Sequence, residues 1–145
     1  MQTGTILQQL RTAKGLSKNA TYMKSGVSDS IILSIENGGS ASFRNVYRLA
    51  KVYETSLNNL AEKITGETLN LFQAGEGQTL FEIIRNARLA AGLSGAELAR
   101  QSGVGITTLS SIETGKSKNP TFEHMAKLAA VLGLSLDEIA ERVYP

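Results

Sequence analysis

The chain contains the same pattern twice. Gly15-Leu16-Ser17 recurs as Gly92-Leu93-Ser94, Ser25-Gly26-Val27 as Ser102-Gly103-Val104, and Ser34-Ile35-Glu36-x-Gly38 as Ser111-Ile112-Glu113-x-Gly115, all at one offset of 77 residues. After a two-residue insertion in the second copy the match resumes: Ser42-Phe43 answers Thr121-Phe122, Leu49-Ala50 answers Leu128-Ala129, and Ser56-Leu57 answers Ser135-Leu136. Matches in register over this length restrict the fold to two copies of one compact unit of about 60 residues each. The expected division is a first domain over 1–66, a linker over 67–78 and a second domain over 79–145.

Each copy reads as five short helices, so the fold class is all-α. In the first copy the pattern predicts helices near Thr5–Ala13, Lys18–Ser25, Asp29–Glu36, Phe43–Tyr53 and Leu57–Ile64. Serines 17, 28, 42 and 56 stand at their starts, where a hydroxyl satisfies a free first-turn amide. In the second copy Thr79-Leu-Phe-Glu82, Ser94-Gly-Ala-Glu97 and Ser135-Leu-Asp-Glu138 read as capping boxes, in which the glutamate also reaches back to the cap amide. Gly92, Gly103, Gly115 and Gly133 mark helix ends. Apolar residues recur at helical spacing, as in Phe122, Met125, Ala126, Leu128, Ala129 and Leu132.

Composition mainly excludes. There are no cysteines, hence no disulfides and no thiolate metal sites. His124 is the only histidine, so a His-based triad or imidazole cluster is impossible, and a solvated helix residue is the expectation for it. The carboxylates are scattered with no acid–base pair standing out, and Gly75-Glu-Gly77 lacks the lysine and setting of a phosphate loop. Neither an enzyme nor a cofactor is expected. No apolar run approaches the ~18 residues of a membrane span, and the first residues lack the basic and apolar blocks of a signal peptide. Net charge is only +2, but residues 1–66 hold eight basic against four acidic side chains, and 67–145 seven against nine. The first half is the one whose charge attracts phosphate.

The stretch from Gly95 to Thr114 has the layout of a helix-turn-helix. Small Ala99 lets two helices cross closely, Gly103 permits a left-handed turn, and Val104, Leu109 and Ile112 fix the second helix to the core. Its outer face is then free to lie in a major groove.

The residues Ile84-Arg85-x-x-Arg88-x-x-x-Gly92-Leu93-Ser94, Glu97-Leu98-Ala99, Ser102-Gly103-Val104, Leu109-Ser110-x-Ile112-Glu113-x-Gly115-Lys116, Pro120-Thr121 and Leu132-Gly133-Leu134-Ser135-Leu136-Asp137-Glu138 resemble the lambdoid phage repressor and Cro family, the XRE-type regulators. The likeness covers essentially the whole second copy, the first copy more loosely, and the linker not at all. It implies two tandem five-helix lambda-repressor-like DNA-binding domains. Base readers would be Ile106, Thr107, Ser110 and Ser111, with phosphate contacts from Lys116, Lys118 and Asn119. In the first copy the matching positions are Lys18, Asp29, Ser30, Leu33 and Ser34. Arg88 with Glu113, and Arg11 with Glu36, fall where the family places a structural ion pair.

Both copies depart from the family pattern. Gly95 stands where many relatives carry a phosphate-binding glutamine, and the reader positions lack Arg–guanine and Gln–adenine forks. In the first copy Thr21 and bulky Tyr22 answer Leu98 and Ala99, and Asp29 opens the recognition helix, where it would repel a phosphate. Lys14, Lys18, Lys24, Arg44, Arg48 and Lys51 nevertheless make that copy basic. The linker carries apolar Leu69, Leu71 and Phe72 ahead of a flexible Gln73-to-Gly77 tail, with packing on the first domain or a dimer contact as its expected uses. About 13 residues reach at most ~43–47 Å extended and average ~20 Å as a coil. Neighbouring major-groove faces lie ~34 Å apart, so one chain has the reach to act as a covalent counterpart of a dimer. The expectation is a cytoplasmic, nucleoid-associated regulator of double-stranded DNA, a repressor by family habit. The alternative is a protein-interaction module such as an antiactivator or antitoxin, and a homodimer or a regulatory protein partner stays open.

Overall fold

A computed structural model of the chain describes residues 2–66 and 75–144. Leu69, Leu71 and Phe72 lie outside the described residues. Ten helices follow in order: α1 (Thr3–Ala13), α2 (Lys18–Ser25), α3 (Asp29–Glu36), α4 (Phe43–Val52), α5 (Leu57–Thr65), α6 (Leu80–Ala90), α7 (Gly95–Ser102), α8 (Ile106–Glu113), α9 (Phe122–Leu132) and α10 (Leu136–Val143). The fold is all-α, with two tandem five-helix units.

Local chemistry accounts for the helix starts. Ser17, Ser28, Ser42 and Ser56 each accept from the third amide beyond them, those of Ala20, Ile31, Asn45 and Asn59. Only one of the three expected capping boxes is complete. Ser94 accepts from the Glu97 amide, and the Glu97 carboxylate accepts from the Ser94 amide at 3.1 Å. That bond holds the Glu97 carboxyl below its usual range. Thr79 caps α6, but its hydroxyl, rather than its amide, donates to Glu82 Oε1 at 3.0 Å. Ser135 takes the Glu138 amide as expected. The complete box needs the glutamate to fold back over the first turn, and Glu82 satisfies itself on the nearer hydroxyl.

Within each unit the first helix lies across the third, and the second packs on the third and fourth. Gly26 and Gly103, with φ of 78° at both, make the left-handed turn between the second and third helices. At Leu98 the second copy buries an ordinary core residue, and at the matching position Thr21 is equally buried, its hydroxyl donating to the Ser17 carbonyl at 2.9 Å. Tyr22 does not enter the helix crossing that its position suggested. It is 43% exposed, so the close approach survives because the ring turns outward.

The two units share one continuous core. Helix α9 packs on α4 and α5, and α10 on α5. Phe43 and Phe122, both fully buried, stack with ring centroids 6.3 Å apart, and Tyr144 meets Phe43 edge-on at 5.8 Å. The segment 75–78 also departs from the free tail expected of it. Arg142 donates to the carbonyls of Gly75 and Gly77 at 2.9 and 3.0 Å, and Asn86 to that of Glu76 at 2.8 Å.

Candidate nucleic-acid interface

Helix α8 is built to show one face and bury the other. Leu109 and Ile112 are buried, while Ile106, Thr107 and Ser110 are exposed and Ser111 is half-buried. The helix starts at Gly105, which offers no side-chain cap, so the first-turn amides of α8 are unencumbered by a capping oxygen. Thr107, Thr108 and Ser111 share a shallow depression with Lys116 and Ser117 of the following loop. On the other flank Ile106 and Ser110 line a groove with Arg85, Arg88 and Thr114. Lys116, Lys118 and Asn119 are all exposed, and neither lysine joins an ion pair among the described residues. Of the side chains named for the second motif, Thr107 and Ser111 thus meet Lys116 in one depression, Ile106 and Ser110 line another, and Lys118 and Asn119 are exposed on the loop that follows.

Arg85 is the residue that sequence reasoning passed over. It was visible as part of the Ile84-Arg85-x-x-Arg88 string, but only the structure puts its exposed side chain beside Ser110 and Thr114.

Part-buried ion pairs hold the recognition helices to the first helix of each unit. Arg88 Nε lies 2.9 and 3.0 Å from the two Glu113 oxygens, and its Nη1 donates to the Leu93 carbonyl at 2.9 Å. Arg11 repeats this with Glu36 at 2.7 and 2.9 Å and the Leu16 carbonyl at 2.8 Å. The Glu36 hydrogen bond lifts the Arg11 guanidinium above its ordinary value against the pull of burial. Each arginine thus ties the end of its recognition helix to the turn before the helix-turn-helix, which fixes the helix pose.

The first motif presents a different surface. Asp29, Ser30, Leu33 and Ser34 are exposed along α3, and Lys18 is half-buried at the start of α2. Beside them stand exposed Tyr22, Met23 and Ile31, with Met23 76% accessible. The loop after α3 is Gly38-Gly39-Ser40, so nothing there corresponds to Lys116 or Lys118.

The helix-turn-helix family model matches twice, over residues 7–60 and 84–139. The chain belongs to the XRE/Cro/C1-type helix-turn-helix family. It is a DNA-binding regulator of that type, and the family is regulatory rather than enzymatic. Neither a curated protein nor a solved structure matches the chain. Among the described residues no helix is long and apolar enough to cross a membrane. His124, expected on a solvated face, is half-buried in the cleft between the units, beside Thr121, Glu123 and Gln2.

Proposed function

We propose that this helix-turn-helix protein is a sequence-specific transcriptional repressor, with α8 as its principal reading helix. The observation that carries this reading is the exposed face of α8, where Thr107 and Ser111 share a depression with Lys116 and where Ile106 and Ser110 line a groove with Arg85. Hydroxyls and a branched apolar chain suit thymine methyls and single acceptor or donor contacts. The lysines and Asn119 suit the phosphates that flank such contacts. With short readers, much of the selectivity comes from the shape and deformability of the site. Repression follows when a bound site overlaps a promoter.

The test is selection of genomic fragments by the purified protein, followed by a reporter driven from the enriched promoters. Enrichment of a defined motif and a fall in reporter output on expression of the protein are the expected results. Uniform retention of all fragments would reduce the protein to an architectural binder, and a rise in output would make it an activator.

A second reading concerns the first motif alone. Tyr22, Met23, Ile31 and Leu33 are exposed apolar side chains of the first motif beside acidic Asp29 in sequence, a composition that also suits a protein partner. A protein retained by the wild type and lost from a Met23→Lys variant that still binds DNA would favour that use.

A further inference from the structure

The contacts between the two units come in reciprocal pairs. The Phe43 amide donates to the Pro120 carbonyl at 2.8 Å, and the Phe122 amide to the Ala41 carbonyl at 2.8 Å. Since the second copy runs 79 residues ahead here, each bond is the other with the units exchanged. Between them Ser42 and Thr121, again matching positions, form an isolated antiparallel bridge. A second pair lies at the starts of α5 and α10. Asp137 Oδ1 accepts from the Leu57 amide at 2.7 Å, and Asn58 Oδ1 accepts from the Leu136 amide at 2.8 Å. Asn58 and Asp137 are matching positions too, so each unit caps the last helix of the other. Phe43 stacked on Phe122 completes the set.

A residue meeting its own counterpart, and bonds that map onto each other on exchange, define a two-fold axis, as in the isologous interface of a symmetric dimer. Here the axis passes between Ser42 and Thr121 inside one chain. A two-fold leaves any direction along itself unchanged, so whichever end of the axis α8 faces, α3 faces the same end from the opposite side. The loops also lie close to it: residues 116–119 run from α8 straight into Pro120, and residues 38–40 from α3 into Ala41. B-DNA has local two-folds perpendicular to its axis, which is why symmetric dimers of this class take paired half-sites.

Resting on the DNA-binding reading above, we infer that one chain is a pre-assembled two-headed reader whose partner is a single duplex with two unlike half-sites, bound one chain per site. The surface that would join two copies is already used within the chain. The half-sites are unlike because the readers are: Asp29, Ser30 and Leu33 on α3 answer Ile106, Thr107 and Ser110 on α8, and only Ser34 and Ser111 agree. Asp137 is a positioning residue in this arrangement. It fixes α5 against α10 and so sets the angle between the heads, without facing DNA itself.

The experiment selects duplexes from a random-core pool with the full chain, then weighs the complexes by sedimentation. The expected result is one chain per duplex, with two different sequence elements at a fixed spacing of one helical turn or a multiple. Inserting half a turn between the elements moves one to the opposite face of the duplex and lowers affinity roughly 10²–10⁴-fold, the avidity lost when two linked sites cannot engage together. Asp137→Ala weakens binding to the two-element duplex while leaving a one-element duplex unaffected, and Asp137→Asn, which copies the Asn58 side of the pair, restores it. Two chains per duplex, a perfect palindrome, or indifference to the insertion overturns the inference and leaves DNA binding standing. Failure to enrich any duplex sinks both.

Discussion

Gly4 shows how one side chain decides the packing of a helix. A Cβ at this position would collide with the backbone carbonyl of Ile35 and come within 3.2 Å of Glu36 Cα, so α1 lies against α3 with backbone touching backbone. Gly4→Ala should therefore destabilise the protein by about 1–3 kcal/mol, the usual cost of overpacking, despite alanine's better helix propensity. Urea unfolding measures it, and an unchanged midpoint would mean that α1 is free to move. The second copy has Phe81 at the matching position, its ring covering Gly115, so the repeat did not reveal the contact. Tyr144 makes the converse case. Its hydroxyl is buried with no hydrogen-bond partner among the described residues, and burial raises its ionisation above the ordinary phenol value. An acid whose native pKa is raised keeps its full stabilisation below the unfolded value, about 10, and loses it as pH rises beyond. Tyr53 shifts the same way. Tyr144→Phe should thus match or exceed the wild type at pH 7, because it removes an unsatisfied hydroxyl. Its advantage should grow between pH 9 and 11 on the order of the phenol titration, while the slope due to Tyr53 remains. A stability difference that stays flat with pH would show that the Tyr144 ring is not held in this apolar setting.

Helices were legible where local chemistry writes them. Serines 17, 28, 42 and 56 mark starts that the structure reproduces, because a hydroxyl-to-amide bond is decided within three residues. The expected bounds start α1 two residues late and end α4 one residue long, at ends where neither a capping hydroxyl nor a glycine punctuates the chain, and they stop α5 one residue short of Thr65 even though Gly66 follows it. Side chains that must choose among partners were harder to read. Glu82 took the Thr79 hydroxyl instead of completing its box, and Asp137, which looks like a first-turn acid of its own helix, serves the first turn of α5. On α8 the exposed face followed from periodicity, whereas Arg85 joined it only through the crossing of α6 over α8. The interface carries its own prediction. Lys116→Ala should weaken binding to every duplex alike and lower the slope of log K against log salt by about 0.9, one phosphate's worth. Thr107→Ala or Ser111→Ala should instead change the preferred base at one position, by about 1–3 kcal/mol between the best and the next. Titrations against a small panel of duplexes at several salt concentrations separate the two behaviours. A sequence-selective effect of Lys116→Ala would reverse the assignment of reader and anchor.

Two copies of a fold in one chain, matched by the family over both halves, leave open whether they behave as two domains or as one body. The repeat cannot answer this, because Phe43 and Phe122 look like ordinary core positions of their own units and only their meeting in space makes them an interface. The packing favours one body. Among the described residues the buried side chains of both units form one cluster that includes Ile6 and Ala140, α9 lies against α4 and α5, and each unit supplies a helix cap to the other. Separating the units would uncover Phe43, Phe122 and Tyr144 and strand first-turn amides of α5 and α10. Burial of a large apolar side chain stabilises by about 1.5–3 kcal/mol, so partial unfolding of either half exposes too much to persist. The chain should unfold in a single cooperative transition. Tyrosine makes this measurable, since Tyr22, Tyr47 and Tyr53 lie in the first unit and only Tyr144 in the second. Tyrosine fluorescence therefore follows mainly the first half, while circular dichroism follows every helix. Phe122→Ala, placed in the second half, should cost about 3–5 kcal/mol and move both signals down together. If the fluorescence transition held its midpoint while the dichroism split in two, the halves would be folding independently, and the fixed angle between the two reading helices would be lost with their common core.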